Sequence, residues 1–285
     1  MNNQKNVTYF EARKWASFRI KDSLDLDMYD VDFILEHRSQ LSATGLLINY
    51  QRQMPDNLWQ QFQQDIAQLL AGIPPQYIVG EANFYGLSIT VTPAVLIPRI
   101  ETEELIDWIL AETSAQHCMP LSVLDIGTGS GAIALALKKQ CPTWHVSGSD
   151  ISQAALRVAA DNAKRLGLPI KFIQSDVFDK IESQFDMIVS NPPYISHHEQ
   201  VDMDKRVIEN EPALALYADD DGLAIYKRIA NDVQSHLAVG GSLFMEIGFH
   251  QEQAVVAIFR RAMPRATIKV KHDVAGHQRM IQVRK

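Results

Sequence analysis

The sequence predicts an α/β protein: a doubly wound, Rossmann-like domain, preceded by a small N-terminal helical bundle and a connecting β-hairpin. Three observations carry this. From Ser122 onward, short apolar runs of strand length alternate with helical runs, which is the pattern of repeated βα units. A glycine turn, Gly127-Thr128-Gly129-Ser130-Gly131, joins one of these strands to its helix. Residues 1–72 are instead fairly polar and helical in pattern, and Ile73-Pro74-Pro75 closes them off.

The elements follow in order. Tyr9 to Lys21 sets Phe10, Trp15 and Phe18 among polar residues, and Asp30–Leu35 and Leu58–Leu70 are further helical segments. The glutamines dense between Gln51 and Gln68 suit helix surface. Residues 77–98 alternate around Gly80, Gly86 and Pro93 as a hairpin would. The expected domains are therefore 1–72 (helical, substrate-docking), 73–98 (connecting hairpin) and 99–285 (catalytic). Leu105–Ala111 begins the first helix of the last domain, with Glu103 and Glu104 well placed in its first turn. Strands are expected at Ser122–Ile126, His145–Ser149, Ile170–Gln174, Phe185–Ser190 and Ser242–Ile247. Helices are expected at Ala132–Gln140, from Ser152 to about Leu166, at Leu223–Leu237 and at Gln251–Met263. Thr267–Lys271 and Arg279–Val283 make the last two strands, the latter antiparallel.

Two loops carry chemistry. After Phe185–Ser190 comes Asn191-Pro192-Pro193-Tyr194, at the carboxyl end of a parallel strand, where open α/β sheets bind ligands. Asn191 offers a side-chain carbonyl. The prolines lack N–H donors and restrict the backbone, so the Pro192 carbonyl can point outward beside it. Tyr194 adds a flat face. Two acceptors beside an aromatic plane suit a planar –NH2 group, either a carboxamide or the amine of a base. The plain alternative is a proline-rich turn. The glycine turn is the nucleotide-binding βα element: bare backbone lies close to a ligand and the helix N-terminus offers free N–H groups. Gly127, Gly129 and Ala132 also satisfy the dinucleotide fingerprint, which keeps NAD among the candidates. Asp150, ending the next strand, is placed to accept ribose hydroxyls. Asp176, after the third, is placed to face an adenine amine. Turn or cap duty is the alternative for each.

Composition sets bounds. Of 285 residues, 46% are hydrophobic and 21% charged, as in globular proteins, which leaves room for one large or two unequal domains. No apolar run approaches a membrane span of about 20 residues, so no membrane association is expected. The polar start Met1–Asn6 carries no secretory signal, and a cytoplasmic location is expected. Cys118 and Cys141 make no disulfide framework, and neither has a partner at metal-ligand spacing, so no metal is expected. The adjacent His197 and His198 suit an exposed loop. The net charge of −7, from 27 Lys+Arg against 34 Asp+Glu, speaks against a phosphate-gripping surface, and no direct nucleic-acid binding is expected.

The chain resembles the peptide chain release factor glutamine methyltransferases, the HemK/PrmC family, over most of its length beyond about Ile73. The resemblance rests on Gln76–Gly80, Phe84–Gly86, Leu96–Glu103, Leu124–Gly131, Ser190–Ile195, Glu211–Leu216, Asp221–Leu223 and Glu246–Gly248. The glycine motif is general to AdoMet enzymes. Asn-Pro-Pro-Tyr is shared with amino-methylating nucleic-acid enzymes, whereas Pro98-Arg99-Ile100-Glu101-Thr102-Glu103 is specific to the family, with Ile100 standing where the family usually has proline. The resemblance implies a seven-stranded sheet with a reversed last strand, S-adenosyl-L-methionine as cofactor and S-adenosyl-L-homocysteine as product. It implies action on the Gly-Gly-Gln glutamine of class-1 release factors, and a monomer is expected. Gly127, Gly129 and Gly131 would then cradle the methionine part of the cofactor, with Asp125 beneath the loop and Thr128 and Ser130 also binding the cofactor. Asp150 would hold the ribose, and Asp176 and Val177 would border the adenine. Asn191, Pro192 and Tyr194 would be catalytic, with Asn191 bordering the cofactor as well. Pro193, Arg99 and Thr102 would join them in binding substrate. Glu211 and Glu246 are assigned no catalytic role. The competing functions are an amino-methyltransferase on adenine or guanine in nucleic acid and a non-catalytic or NAD-binding Rossmann module.

Overall fold

The computed structural model describes residues 7–23 and 26–285; the polar residues 1–6 lie outside it. Two compact units are formed. The first runs to Glu81 and takes in Asp204–Asn210, and the second is Ala82–Met203 with Glu211–Lys285.

In the first unit the helices Tyr9–Ile20, Met28–Ser39, Ala43–Asn49 and Asp56–Leu70 precede a short Pro75–Val79 helix. Their starts are set locally. Thr8 and Glu11 form a capping box, Asp27 accepts the N–H groups of Tyr29 and Asp30, and Ser42 caps the third helix. Ala12, Ala16, Ile34, Leu35, Phe62, Ile66 and Leu69 fill the core. Within it Asp65 is wholly buried and satisfied. Arg38 Nε and Nη2 donate to its two oxygens at 2.7 and 3.1 Å, and Gln61 Nε2 donates at 2.9 Å. A carboxylate removed from water needs such partners. The helix Lys205–Asn210 completes this unit: Arg206 Nη1 lies 3.2 Å from Asp30 Oδ2, and Asn210 Nδ2 donates to the Gly72 carbonyl at 3.0 Å. Helix Ala43–Asn49 was not expected, being too short at 7 residues to show a periodic apolar face.

A hairpin of β1 (Glu81–Phe84) and β2 (Leu87–Thr90) follows, in the second unit but for its first residue, Glu81. Tyr85 (φ 48°) and Gly86 (φ 69°) are both left-handed, as a two-residue turn matching strand twist requires. The hairpin is shorter than the expected 77–98. Pro75 starts a helical turn, because its fixed φ suits a first helical position, so residues 77–79 are not strand. Beyond Thr90 the chain runs through Pro93 without pairing into the hairpin.

The main sheet contains β3 (Ser122–Ile126), β4 (His145–Asp150), β5 (Lys171–Gln174), β6 (Phe185–Ser190), β7 (Leu237–Glu246), β8 (Thr267–His272) and β9 (Gln278–Arg284). Their order is β5-β4-β3-β6-β7-β9-β8. The strands pair in parallel from β5 to β7, and β9 runs antiparallel to both β7 and β8, as expected of a reversed last strand. β7 starts at Leu237 rather than Ser242: Phe185 pairs with Leu237, and after an irregularity Met187 pairs with Ser242. The helices 224–236 and 252–262 cover one face, burying Tyr226, Ile229, Val233, Val255 and Phe259 against Leu124, Ile188 and Leu243. The helix Ile100–Glu112 also meets the sheet through Trp108, set edge-on to Phe244 at 5.5 Å. Strand order reverses between the parallel strands β3 and β6: β3 leads toward β4, β6 toward β7. The crevice between their carboxyl ends is the binding position of such sheets. The glycine turn follows β3 and Asn191–Tyr194 follows β6, so topology alone places the two motifs together. Among the described residues no helix is long and apolar enough to cross a membrane.

Candidate functional site

The glycine turn owes its shape to three left-handed residues, Gly127 (φ 69°), Gly129 (φ 55°) and Gly131 (φ 83°). Alanine at any of them would be strained. Beneath the turn Asp125 is fully buried; its Oδ2 accepts from Thr128 Oγ1 at 2.6 Å and from the Ala134 N–H at 3.3 Å. Its other oxygen is buried with no hydrogen-bond partner among the described residues. Burial pushes this carboxyl up to about 7, against the restraint of those two hydrogen bonds. At the end of β4, Asp150 Oδ2 accepts the Gly129 N–H at 2.9 Å and Oδ1 accepts the Ser152 N–H at 2.8 Å. Burial raises the Asp150 carboxyl too, opposed by these backbone donors.

Gly127, Gly129 and Asp150 border a cavity of about 210 Å³. Gly127, Gly129, Asp150 and Ser152 form its polar end, and Ile151, Val177, Leu96, Leu214 and Ile225 form apolar walls. Asp176 lines it as well, paired with Arg228 at 2.9 Å. Val177 is left-handed (φ 50°), a strained conformation for a β-branched residue. Ser175 helps hold it by donating to the Val177 carbonyl at 3.1 Å. Bare glycine backbone, an acidic acceptor at a strand end and apolar walls together fit an adenosine-containing cofactor.

Asn191, Pro192 and Pro193 close the other side of the cavity. Ser190 anchors the start of this loop by donating to the Ile126 carbonyl at 2.8 Å. Asn191 Nδ2 donates to Thr102 Oγ1 at 3.0 Å, Thr102 Oγ1 donates to Glu246 Oε2 at 2.7 Å, and the Tyr194 hydroxyl donates to Glu246 Oε1 at 3.0 Å. The loop's far end is held by Gln251, whose Nε2 donates to the Tyr194 carbonyl at 2.8 Å. Gly222 (φ 80°) lies so close that an added Cβ would collide with that carbonyl. Tyr194 faces a second, larger hollow, shared with Phe249 and Arg279.

Not every residue singled out in the sequence meets the cavity. Gly127, Gly129, Asp150, Asp176, Val177, Asn191, Pro192 and Pro193 line it. Asp125, Thr128, Ser130 and Gly131 support the turn from behind. Arg99 pairs with the buried Glu211 at 2.6 Å, and the second Glu211 oxygen accepts the Ile97 N–H at 3.1 Å. Thr102 is buried and reaches the cavity only through Asn191. Leu214, Ile225 and Arg228 were not foreseen; each lies on a helix whose apolar or basic residues read as ordinary surface and core. Glu246 and Gln251 had one signal, an acidic residue ending a buried strand and a polar residue just beyond it, but nothing in the sequence said which residues they meet.

Residues 11–80 match a family model described as the PrmC N-terminal domain, and residues 108–216 match the methyltransferase small domain. The chain is 46% identical over 254 residues to a release factor glutamine methyltransferase of Streptococcus pneumoniae, covering 89% of this chain and 90% of that one. It is 44% identical over 263 residues to a protein of the same name from Lactococcus lactis, covering 92% and 96%. A methyltransferase structure from Pyrococcus furiosus superimposes with a TM-score of 0.53 at 17% identity, covering 78% of this chain and 98% of that one, which is a likeness of fold.

Proposed function

The chain belongs to the release factor glutamine methyltransferase family, and from that membership together with the site geometry we propose that it methylates the side-chain amide nitrogen of the Gly-Gly-Gln glutamine in class-1 release factors. The observation that carries this reading is the orientation of Asn191. Its amide –NH2 end is engaged by Thr102 at 3.0 Å, which leaves the carbonyl oxygen to receive a ligand N–H. A site that presents acceptors at this point selects an –NH2 group over a carboxylate.

The cofactor in this reading is S-adenosyl-L-methionine, which supplies a methyl group already activated as a sulfonium. Gly127, Gly129 and their neighbours would hold its methionine part, Asp150 its ribose, and Asp176 and Val177 its adenine. The apolar walls Leu96, Ile151, Leu214 and Ile225 keep water from the slot. Asn191 and the Pro192 carbonyl would accept both amide hydrogens of the glutamine, with Tyr194 beside them. An amide nitrogen is a weak nucleophile because its lone pair is delocalised, and two acceptors push electron density back onto it. Catalysis is then mainly orientation and preorganised electrostatics. No strong base is required beforehand, because the methylated nitrogen becomes acidic and loses its proton afterwards. The first compact unit is proposed to contact the folded release factor, the enzyme acting as a monomer in the cytoplasm.

The test is a methyl-transfer assay that offers intact release factor and duplex DNA side by side. Mass spectrometry should find one methyl group on the Gly-Gly-Gln glutamine and none on DNA. Methyl transfer to DNA adenine alone would replace this reading with the nucleic-acid one.

A further inference from the structure

Glu246 ends β7, is buried within the second unit and does not line the cavity. Its contacts nevertheless decide which end of Asn191 faces the substrate. An ionised carboxylate only accepts hydrogen bonds, so both of its protein partners must donate: Thr102 Oγ1 at 2.7 Å and the Tyr194 hydroxyl at 3.0 Å. A threonine hydroxyl has a single hydrogen. With that hydrogen given to Glu246, Thr102 has only acceptor capacity left for Asn191, at 3.0 Å. The Asn191 –NH2 must then turn inward and its carbonyl outward.

We propose that Glu246 is a positioning residue which, through the Thr102 hydroxyl, locks Asn191 with its carbonyl toward the substrate and so sets the enzyme's selection of an amide over a carboxylate. This rests on the function proposed above and names the device behind its substrate selectivity. Thr102 and Glu246 are 144 positions apart in sequence and come from different elements, the helix Ile100–Glu112 and β7. Charged and titratable groups from several elements face the Glu246 carboxyl. Those that bear on it, among the described residues, include Tyr194 from the loop after β6, Tyr226 from the helix Ala224–His236, Arg279 from β9 and the like-charged Glu101 from the helix Ile100–Glu112. Burial raises the carboxyl, and the Thr102 and Tyr194 hydroxyls and Arg279 oppose that. Protonation would let Glu246 donate to Thr102, free the threonine hydrogen for Asn191 and reverse the amide.

Glu246→Gln makes the same reversal available at every pH, since the glutamine –NH2 can donate to Thr102. Thr102→Val removes the link, and Thr102→Ser keeps the hydroxyl. The experiment uses the full-length enzyme with intact release factor and with the same factor carrying Glu in place of the target Gln as a competitive inhibitor. Wild-type enzyme should prefer the Gln factor. Glu246→Gln should lower kcat by on the order of 10²-fold, as for loss of a preorganised polar contact. It should also shift the Gln-over-Glu preference about tenfold or more toward Glu, a gap of one hydrogen-bond energy. Calorimetric affinity for S-adenosyl-L-homocysteine should stay unchanged. Thr102→Val should show the same shift, the double variant should be no worse than either single one, and Thr102→Ser should restore the wild-type preference. If Glu246→Gln does not fold, Thr102→Val and Thr102→Ser carry the same test. Folded variants that keep the wild-type preference, or losses that add in the double variant, overturn the proposal alone. A wild-type enzyme that leaves the release factor unmodified overturns the functional reading, and the proposal with it.

Discussion

Replacing Asp150 with alanine probes the cofactor assignment directly. Each Asp150 oxygen already accepts one backbone N–H, from Gly129 at 2.9 Å and from Ser152 at 2.8 Å. Both oxygens keep a second lone pair, so two ribose hydroxyls can join without displacing either donor. A hydrogen bond to a charged group contributes about 1.5–3 kcal/mol, and two sharing one carboxylate do not add fully, so a loss of about 2–4 kcal/mol is expected. That is roughly 30- to 1,000-fold in affinity. Calorimetric titration with S-adenosyl-L-homocysteine measures it, with circular dichroism to establish folding. Burial holds the free carboxyl above its usual range, and new hydroxyl donors would pull it down again. Binding should therefore release protons, and affinity should rise with pH until it passes the raised pKa of the free protein, then level off. Affinity within about threefold of wild type in a folded Asp150→Ala protein, on this scale of about 1.4 kcal/mol per tenfold, would refute the ribose assignment. Tight NAD binding would refute the methyltransferase reading as well.

Asn191→Ala should keep most cofactor affinity while lowering turnover by on the order of 10²-fold, and near-normal turnover would reduce Asn191 to a turn residue. Asp125, raised to about 7, contributes stability that is fully present below its unfolded pKa of about 4 and is lost as pH rises through about 7, up to about 4 kcal/mol in all. In the ligand-free protein, chemical denaturation across that window should therefore show wild type losing stability relative to Asp125→Asn; parallel curves would show that Asp125 does not titrate there. Gly222→Ala should lower both Tm and kcat, since left-handed alanine costs about 1–2 kcal/mol before its Cβ meets the Tyr194 carbonyl; an unchanged Tm would show that the loop yields freely. Intact release factor should be methylated far faster than a short Gly-Gly-Gln peptide, because remote contacts offset the cost of ordering the loop, and equal kcat/KM values would remove any docking role for the first unit.

Much of the fold was legible because its signals are local. The helix Ala132–Gln140 and the strand Ser122–Ile126 appear with the expected bounds, each set off by the glycine turn between them. Ser152 caps its helix as its side-chain chemistry suggested. The stretch from Ile195 to Leu223 was not legible. It forms one short 3-10 segment, helices of 6 and 4 residues and a tight turn at Asp219–Gly222 with Asp220 and Asp221 left-handed, held by contacts such as the Ile195–Tyr217 bridge. Pieces this short show no apolar period. The loops around the cavity were legible because they follow strands at the sheet's reversal point. The network behind them was not: Arg99 meets Glu211 and Thr102 meets Glu246 across 112 and 144 positions. Such pairings depend on which strands become neighbours, and no local pattern encodes that.

The helix Lys205–Asn210 has a practical consequence for taking the protein apart. In sequence it lies far inside the stretch that forms the second unit, yet it belongs to the first, where Arg206 pairs with Asp30 and Asn210 with Gly72. Cutting the chain once, near Gly72 or Glu81, therefore yields no pair of clean modules. The shorter fragment lacks two of its native side-chain partners, and the longer one keeps a basic and an amide group evolved for a surface that has gone. Anyone grafting the helical unit onto another enzyme, or exchanging it between relatives, would have to move two separate stretches of sequence together. A chimera that moves only the leading stretch should be less stable than either parent, whatever its effect on catalysis.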